Sequence, residues 1–472
     1  MRPVEGGARR WGVEPKTKLA DTRVMKKLVA ALALSLLTLA QPAAAQSLLR
    51  DAETEAMFDD MARPLIIAAG LSPRNVKVVL INDPSINAFV AGGQTVYMHS
   101  GLITAADNAS QVQGVIAHEL GHVADGHVPL GDAGIKPALA IQLVSLVLGI
   151  AAAAAGSGEG AAGIIAAGQQ AAIGKYLAFS RVQEATADAT AAKFLNTAGL
   201  SGRGILEFFK KLQSLEYRAG YTNIDPFAQN HPLSGDRVAT LSETLRASPA
   251  WDKPTDPALE DRFKRVRAKL AGFVNDPKRT LNDFPAENQS TYARYARAFA
   301  YHRAGYPEKA NAEADALVRA FPNDPYFLEV KGQILLESGQ PNEAIGPLRQ
   351  ATERSGYQPL IATTFGHALI ATEQPANFPE AEKVLRQAVG RDEENPFAWF
   401  QLGVVYERKG DRARALLATA ERAALTGDLR TASLSARGAL AGLPPNTPDW
   451  IRAQDLVLLT QNVIDDQRRG RR

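Results

Sequence analysis

The sequence predicts a mainly α-helical protein in two parts, an α+β domain with a small sheet followed by an all-α solenoid of helical repeats. Three observations carry that expectation. The second half repeats itself with a period near 34 residues. The first half sets two short runs of β-type residues, Val76 to Ile81 and Phe89 to Met98, among helical patterns. The composition, 46% hydrophobic and 22% charged over 472 residues, is that of a folded chain long enough for two or three domains. The absence of Cys excludes disulfide scaffolds, Cys-ligated zinc, iron–sulfur clusters and thiol nucleophiles.

The first element is an export segment over residues 1–45. Met25-Lys26-Lys27 precedes an apolar run from Leu28 to Ala40, and Ala43-Ala44-Ala45 closes the stretch. A basic start, a short apolar core and an A-x-A end form a secretory signal, with cleavage expected after Ala45. A run of thirteen residues is too short to span a bilayer, which needs about 20. Met25 can itself serve as the start. The segment holds eight basic and three acidic side chains, so removing it takes the net charge from +3 to about −2. No nucleic-acid partner is therefore expected, and the mature chain is expected in the periplasm.

Residues 46–260 form the expected first domain. A helix comes first, then the two β-like runs, then a helical segment from about Gln111 to Gly126. That segment contains His118-Glu119-Leu120-Gly121-His122, an H-E-x-x-H motif. On a helix, positions i and i+4 share one face, so both imidazoles can reach one ion. Glu119 projects beside them and can take a proton from an attacking water. Zinc suits two imidazoles and a carboxylate with one position open.

The third ligand must come from elsewhere. Glu184 and Asp188, four residues apart, lie on one helical face 62 residues or more beyond His122. Glu184 is the natural candidate, and Asp188 could orient His118 or His122 from behind. His127 is the alternative, but the spacing that supplies a third histidine in metzincins places it six residues after the second. Here it falls at five, beside Gly126. His127 is thus expected to be a helix C-terminal residue rather than a ligand.

The run Asn87-Ala88-Phe89-Val90-Ala91-Gly92-Gly93, then Gly101-Leu102, His118 to His122 and Glu184-x3-Asp188, resembles the M48 peptidases, zinc metalloproteases of the gluzincin group. The resemblance spans about Asp51 to Arg237. It implies one zinc ion per chain held by His118, His122 and Glu184, base catalysis by Glu119 and a supporting acid at Asp188. His231-Pro232-x4-Arg237 matches a further element of the family. Either His231 or Arg237 could stabilise an oxyanion, and His231 could instead occupy the open zinc position and hold the enzyme latent. The β-like run at Asn87 to Val90 is a candidate for binding substrate as an added strand, with Gly92-Gly93 allowing close approach or a bulge.

Between these motifs lies an apolar stretch. Ala138 to Ala155 has only Gln142 and Ser145 as polar members, and a second run, Ala161 to Phe179, carries Gln169, Gln170 and Lys175. The first would span about 27 Å as a helix, marginal for a core of about 30 Å. Residues 138–179 are therefore expected to pack as helices around the active site and touch a membrane surface without crossing it. A linker-like stretch with Pro226, Pro232, Pro254 and Pro257 leads out of the domain.

Residues 270–472 are the expected repeat domain. Ala298, Gly332, Gly366, Gly403 and Gly438 recur at spacings of 34, 34, 37 and 35. Gly305, Gly339 and Gly410 follow seven residues after their counterparts, where a first helix should end. Trp399-x2-Leu402-Gly403-x2-Tyr406 opens as the tetratricopeptide signature does. Such solenoids present concave surfaces to peptide segments. An exported M48 peptidase joined to these repeats implies an endopeptidase acting on misfolded, unfolded or misassembled envelope proteins. It also implies docking on the outer-membrane assembly machinery. The rival reading is a chaperone or adaptor that works through its repeats and keeps the protease site latent.

Overall fold

The computed structural model describes residues 48–127, 139–149, 158–219, 231 and 235–469; the expected export segment and its cleavage site lie outside them. Strand β1 (Leu48–Leu49) leads into helix α1 (Ala52–Ala68), which starts where the Asp51 carboxylate accepts from the Thr54 amide at 2.8 Å. Strands β2 (Lys77–Ile81), β3 (Ala88–Ala91) and β4 (Thr95–His99) complete a sheet ordered β1-β2-β4-β3. β2 and β4 run parallel, and the other two pairings are antiparallel. The run Phe89 to Met98 is two strands, because Gly92 and Gly93 take φ of +60° and +97° and reverse the chain. Glycine lacks the Cβ that would strain such a turn. The glycines make a hairpin here, in place of the bulge expected as one alternative, and β3 is left on the sheet edge.

Helices α2 (Ser100–Ala105), α3 (Ala109–Ala124), α4 (residues 139–149), α5 (Gly158–Thr197), α6 (Arg203–Ala219), α7 (Gly235–Arg246) and α8 (Pro257–Val274) follow. Met57 and Leu65 of α1, Met98 of β4, Val112 and Ile116 of α3, and Phe208 and Phe209 of α6 share one buried core. Within it α3 touches its neighbours backbone to backbone. A Cβ on Gly114 would stand 2.6 Å from Ile205 Cβ, and one on Gly121 would stand 2.7 Å from the Ala187 carbonyl oxygen. Small residues at these two points let α6 and α5 close on the helix that carries the histidines.

The apolar stretch differs from expectation. Its second run and the Glu184 segment form one 40-residue helix, α5, about 60 Å long at 1.5 Å per residue. Gly168 of α5 packs against Ser145 of α4. α4 leaves Leu143, Val144 and Val147 at 62%, 58% and 65% exposure, and residues 150–157 of the stretch lie outside the described residues. Among the described residues, no helix is long and apolar enough to cross a membrane.

α9 (Pro277–Asp283) precedes ten helices that pair in sequence: α10 (Thr291–Arg303), α11 (Pro307–Ala320), α12 (Pro325–Glu337), α13 (Pro341–Arg354), α14 (Pro359–Ala371), α15 (Phe378–Arg391), α16 (Pro396–Arg408), α17 (Arg412–Leu425), α18 (Leu429–Gly442) and α19 (Pro448–Arg469). The pairs are built from local rules. Asp324, Gln358 and Asn395 cap their helices by accepting from backbone amides, and a Pro follows each at the first helical position. Gly305, Gly339 and Gly410 close the first helix of a pair at φ of +77°, +80° and +75°. Gly332 and Gly366 sit where a Cβ would strike Leu348 and Leu385 of the second helix.

Of the expected linker, Pro226 and Pro232 lie outside the described residues, and Pro257 begins α8. The boundary expected between residues 260 and 270 falls inside α8, a continuous helix. Its Phe263, Val266 and Leu270 belong to the first core, whereas Gly272 abuts Ala296 of α10. Lys269 of the same helix pairs with Asp51, and Arg265 bridges Glu53 of α1 to Asp324, the cap of α12, at 2.8 and 2.7 Å.

Candidate metal centre

α3 begins where the Asn108 side chain accepts from the Gln111 amide, and it buries every residue from Val112 to His122. His118 and His122 therefore face inward one turn apart, and the close approach at Gly121 brings α5 beneath them. His118 Nε2 and His122 Nε2 stand 3.2 Å apart. Glu184 of α5 reaches both, its Oε2 at 3.3 Å from His118 and its Oε1 at 3.4 Å from His122. His231 Nδ1 lies 3.0 Å from Glu184 Oε1 and 3.3 Å from His118 Nε2. One ligating atom from each of His118, His122, Glu184 and His231 lies within 4.8 Å of the others, and all four residues are buried.

The surrounding groups fix how these atoms point. Asp188 Oδ1 stands 3.0 Å from His118 Nδ1, on the far side of the ring. Arg237 of α7 grips Asp188 with two bonds, Nε to Oδ2 at 2.7 Å and Nη2 to Oδ1 at 2.9 Å, and places Nη1 3.0 Å from Glu184 Oε2. Its guanidinium is thus engaged by Asp188 and Glu184. His231 Nε2 lies 3.3 Å from the carbonyl oxygen of Ala88, the first residue of edge strand β3. Glu119 is buried, with Oε1 lacking a hydrogen-bond partner and lying 3.6 Å from His231 Nε2.

This arrangement fits a cation. With the outer nitrogens of His118 and His122 turned to partners, their inner Nε2 atoms present lone pairs to each other and to a carboxylate. Two imidazole nitrogens and a carboxylate packed at 3.2–3.4 Å are costly unless a positive charge sits among them. The protonation equilibria carry the same demand. Burial opposes a charged His118, yet Asp188 and Glu184 push its pKa up to about 10. Burial likewise opposes an ionised Glu184, but His231, His118 and His122 hold it well below the usual carboxylate range. Asp188 is lowered against the same burial by His118 and Arg237. His118, His122 and Glu184 would hold the ion, with His231 in reach as a fourth donor.

Every site residue expected from the sequence is brought to this place, and one further residue joins it. His127 lies beyond the end of α3, not within it. Gly126 at φ +69° turns the chain so that His127 Nδ1 comes 2.9 Å from His122 Nδ1. Burial and the neighbouring His122 hold the His127 pKa below its ordinary value. The signal in the sequence was the left-handed glycine one residue before it.

The chain is similar to several known proteins. The profile of peptidase family M48 matches residues 48–245. The chain is 27% identical over 369 residues to the β-barrel assembly-enhancing protease of Escherichia coli (strain K12), a match covering 74% of this chain and 71% of that protein. It is 32% identical over 178 residues to the metalloprotease LoiP of the same organism, covering 37% of this chain and 64% of that one. Among solved structures, YrrB, a TPR protein with an unusual peptide-binding site, aligns at a TM-score of 0.31 and 23% identity over 37% of this chain and 91% of its own.

Proposed function

Since residues 48–245 are a peptidase family M48 domain and the chain is a metalloprotease, we propose that it is a periplasmic zinc endopeptidase acting on misfolded or stalled envelope proteins during outer-membrane protein assembly. The observation that carries this reading is the set of facing acceptors on His118, His122 and Glu184, with the unpartnered Glu119 oxygen beside them and the edge strand β3 adjoining. When bound, zinc supplies the Lewis acidity that such a donor set is suited to deliver. The chain's own residues do the rest. An extended substrate adds to β3 through main-chain hydrogen bonds, which sets its scissile carbonyl beside Glu119. Glu119 takes a proton from the attacking water and returns it to the leaving amine. Asp188, braced by Arg237, keeps His118 in the tautomer that directs Nε2 inward.

His231 has two roles open to it. In the resting chain it stands as the fourth donor and bonds the first carbonyl of β3, the edge a substrate strand would use. Displaced by substrate, it would stabilise the oxyanion. The repeats supply docking for substrate or the assembly machinery. A cavity of about 760 Å³ opens among α15, α16, α17 and α19, walled by Trp399, Tyr406, Arg414 and Arg452. The exposed Leu and Val side chains of α4 are placed to touch a membrane surface, to be checked by flotation with phospholipid vesicles.

One digestion series tests the reading. Casein or an unfolded barrel protein is incubated with native chain, chelated chain, Glu119→Gln and His231→Ala. Glu119→Gln should cut kcat/KM by about 10²–10⁴-fold, and chelation should abolish cleavage. Equal cleavage by all of them would remove the metalloprotease mechanism and favour a chaperone or adaptor. A gain of activity in His231→Ala marks latency, and a loss marks the oxyanion role.

A further inference from the structure

The two histidines of the H-E-x-x-H helix are braced from behind in different ways. His118 Nδ1 faces a carboxylate, Asp188, which is itself gripped by Arg237. On His122, the corresponding nitrogen meets an imidazole, with His127 Nδ1 at 2.9 Å and the two rings edge to face at a centroid separation of 5.0 Å. We propose that His127 is a positioning residue for the metal centre, accepting the Nδ1 proton of His122 so that His122 Nε2 keeps its lone pair turned toward Glu184 and His118.

The geometry behind this comes from the end of α3. The Asp125 amide donates to the Gly121 carbonyl and the Gly126 amide to the Val123 carbonyl, and Gly126 occupies the left-handed region. That cap folds the chain back over the last turn of the helix. The cap is itself anchored to α5, because Thr190 Oγ1 donates to the Asp125 carboxylate at 2.9 Å. His127 is thereby set against the outer edge of His122 and not its inner one. A spacing of five residues, with a left-handed turn at the fourth, delivers an imidazole to the back of the ligand. Histidine ligands ordinarily donate their second nitrogen to a carboxylate, carbonyl or water, and that partner fixes tautomer and ring orientation. His122 has the same requirement, and its Nδ1 is within hydrogen-bond distance of His127.

The inference rests on the metal-centre reading, and its test separates the two. Zinc affinity of the full chain is measured by competition with a chromophoric chelator for wild type, His118→Ala, His127→Leu and His127→Asn. Leucine keeps bulk and removes the acceptor; the Asn Oδ1 stands where His Nδ1 stood. His127→Leu should bind zinc about 10–100-fold more weakly, the range for lost outer partners, and His127→Asn should stay within about threefold of wild type. Thermal melting of the metal-free proteins should be the same for all three His127 forms. Wild-type affinity in His127→Leu, with His118→Ala unable to bind, overturns the role of His127 and leaves the metal centre standing. Equal weakening of His127→Leu and His127→Asn with a lowered metal-free melting point also overturns it, because the effect is then structural. Failure of the wild type to bind zinc overturns both.

Discussion

Two of the clusters of buried charge in this molecule are built to opposite rules. At the junction of the two halves, Asp51, Glu53 and Asp324 meet Lys269 and Arg265, with Tyr295 donating to Glu53 at 2.8 Å. At the metal centre, Glu119, Glu184 and Asp188 meet a single guanidinium, Arg237, and three imidazole rings. The junction interleaves donors with acceptors, and protons absorb what negative charge is left over. Glu329, whose Oε2 has no hydrogen-bond partner, shows this: burial, partly offset by Lys269 and reinforced by Asp51 and Glu53, pushes its pKa up to about 8. The metal centre turns its acceptors toward one another, so a cation must supply the missing charge. Burial alone does not distinguish structure from function; whether the polar atoms already answer each other does.

The contrast can be broken from either side. Lys269→Met should produce the largest loss of stability, about 3–5 kcal/mol in urea denaturation, by stranding Asp51 without its cation. Zinc affinity should be unchanged, and a parallel loss would mean the two clusters act as one unit. Gly121→Ala should strike the other cluster. Its methyl would meet the Ala187 carbonyl, so α5 must retreat, at a cost of about 1–3 kcal/mol. Because Glu184 and Asp188 ride on α5, zinc affinity should fall as well, and an unchanged affinity would show that the backbone contact does not set the site.

The smallest effect should be one of pH. A Glu329 pKa raised in the folded chain means that the folded state binds the extra proton between about pH 4.5 and pH 8. Its contribution is fully present below the unfolded value near 4.5 and is lost as the pH rises through about 8. Glu329→Gln should therefore raise the melting temperature at pH 8.5 by about 2 °C and leave it nearly unchanged at pH 5. A uniform shift at both values would place the effect elsewhere.

Much of this was legible beforehand, for reasons that vary with the residue. His118, Glu119 and His122 are readable because four residues make one helical turn in any protein. The repeats are readable because caps, prolines and terminal glycines act within a few residues of themselves, as at Asp324-Pro325 and Gly339. Glu184 and Asp188 could be paired with each other by spacing and offered as partners of the histidines, but spacing does not say which histidine Asp188 reaches. Arg237 and His127 were placed correctly in the chain and assigned other work, because the sequence does not show which side of a ring a neighbour occupies. The apolar character of residues 139–149 was plain, and their exposure was not.

By itself, then, the sequence determined what depends on near neighbours: the H-E-x-x-H face, the helical hairpins and their period, and a first half with a small sheet. Tertiary structure alone decided that β3 is an edge strand, that α8 runs unbroken across the expected domain boundary, and that Gly121 admits α5 to the histidines. It also decided that His127 stands behind His122 while Arg237 holds Asp188. The physical reason is reach. Backbone propensity and capping act over a turn or two, whereas a site built from α3, α5, α7 and β3 exists only once packing has brought distant segments to within about 3 Å.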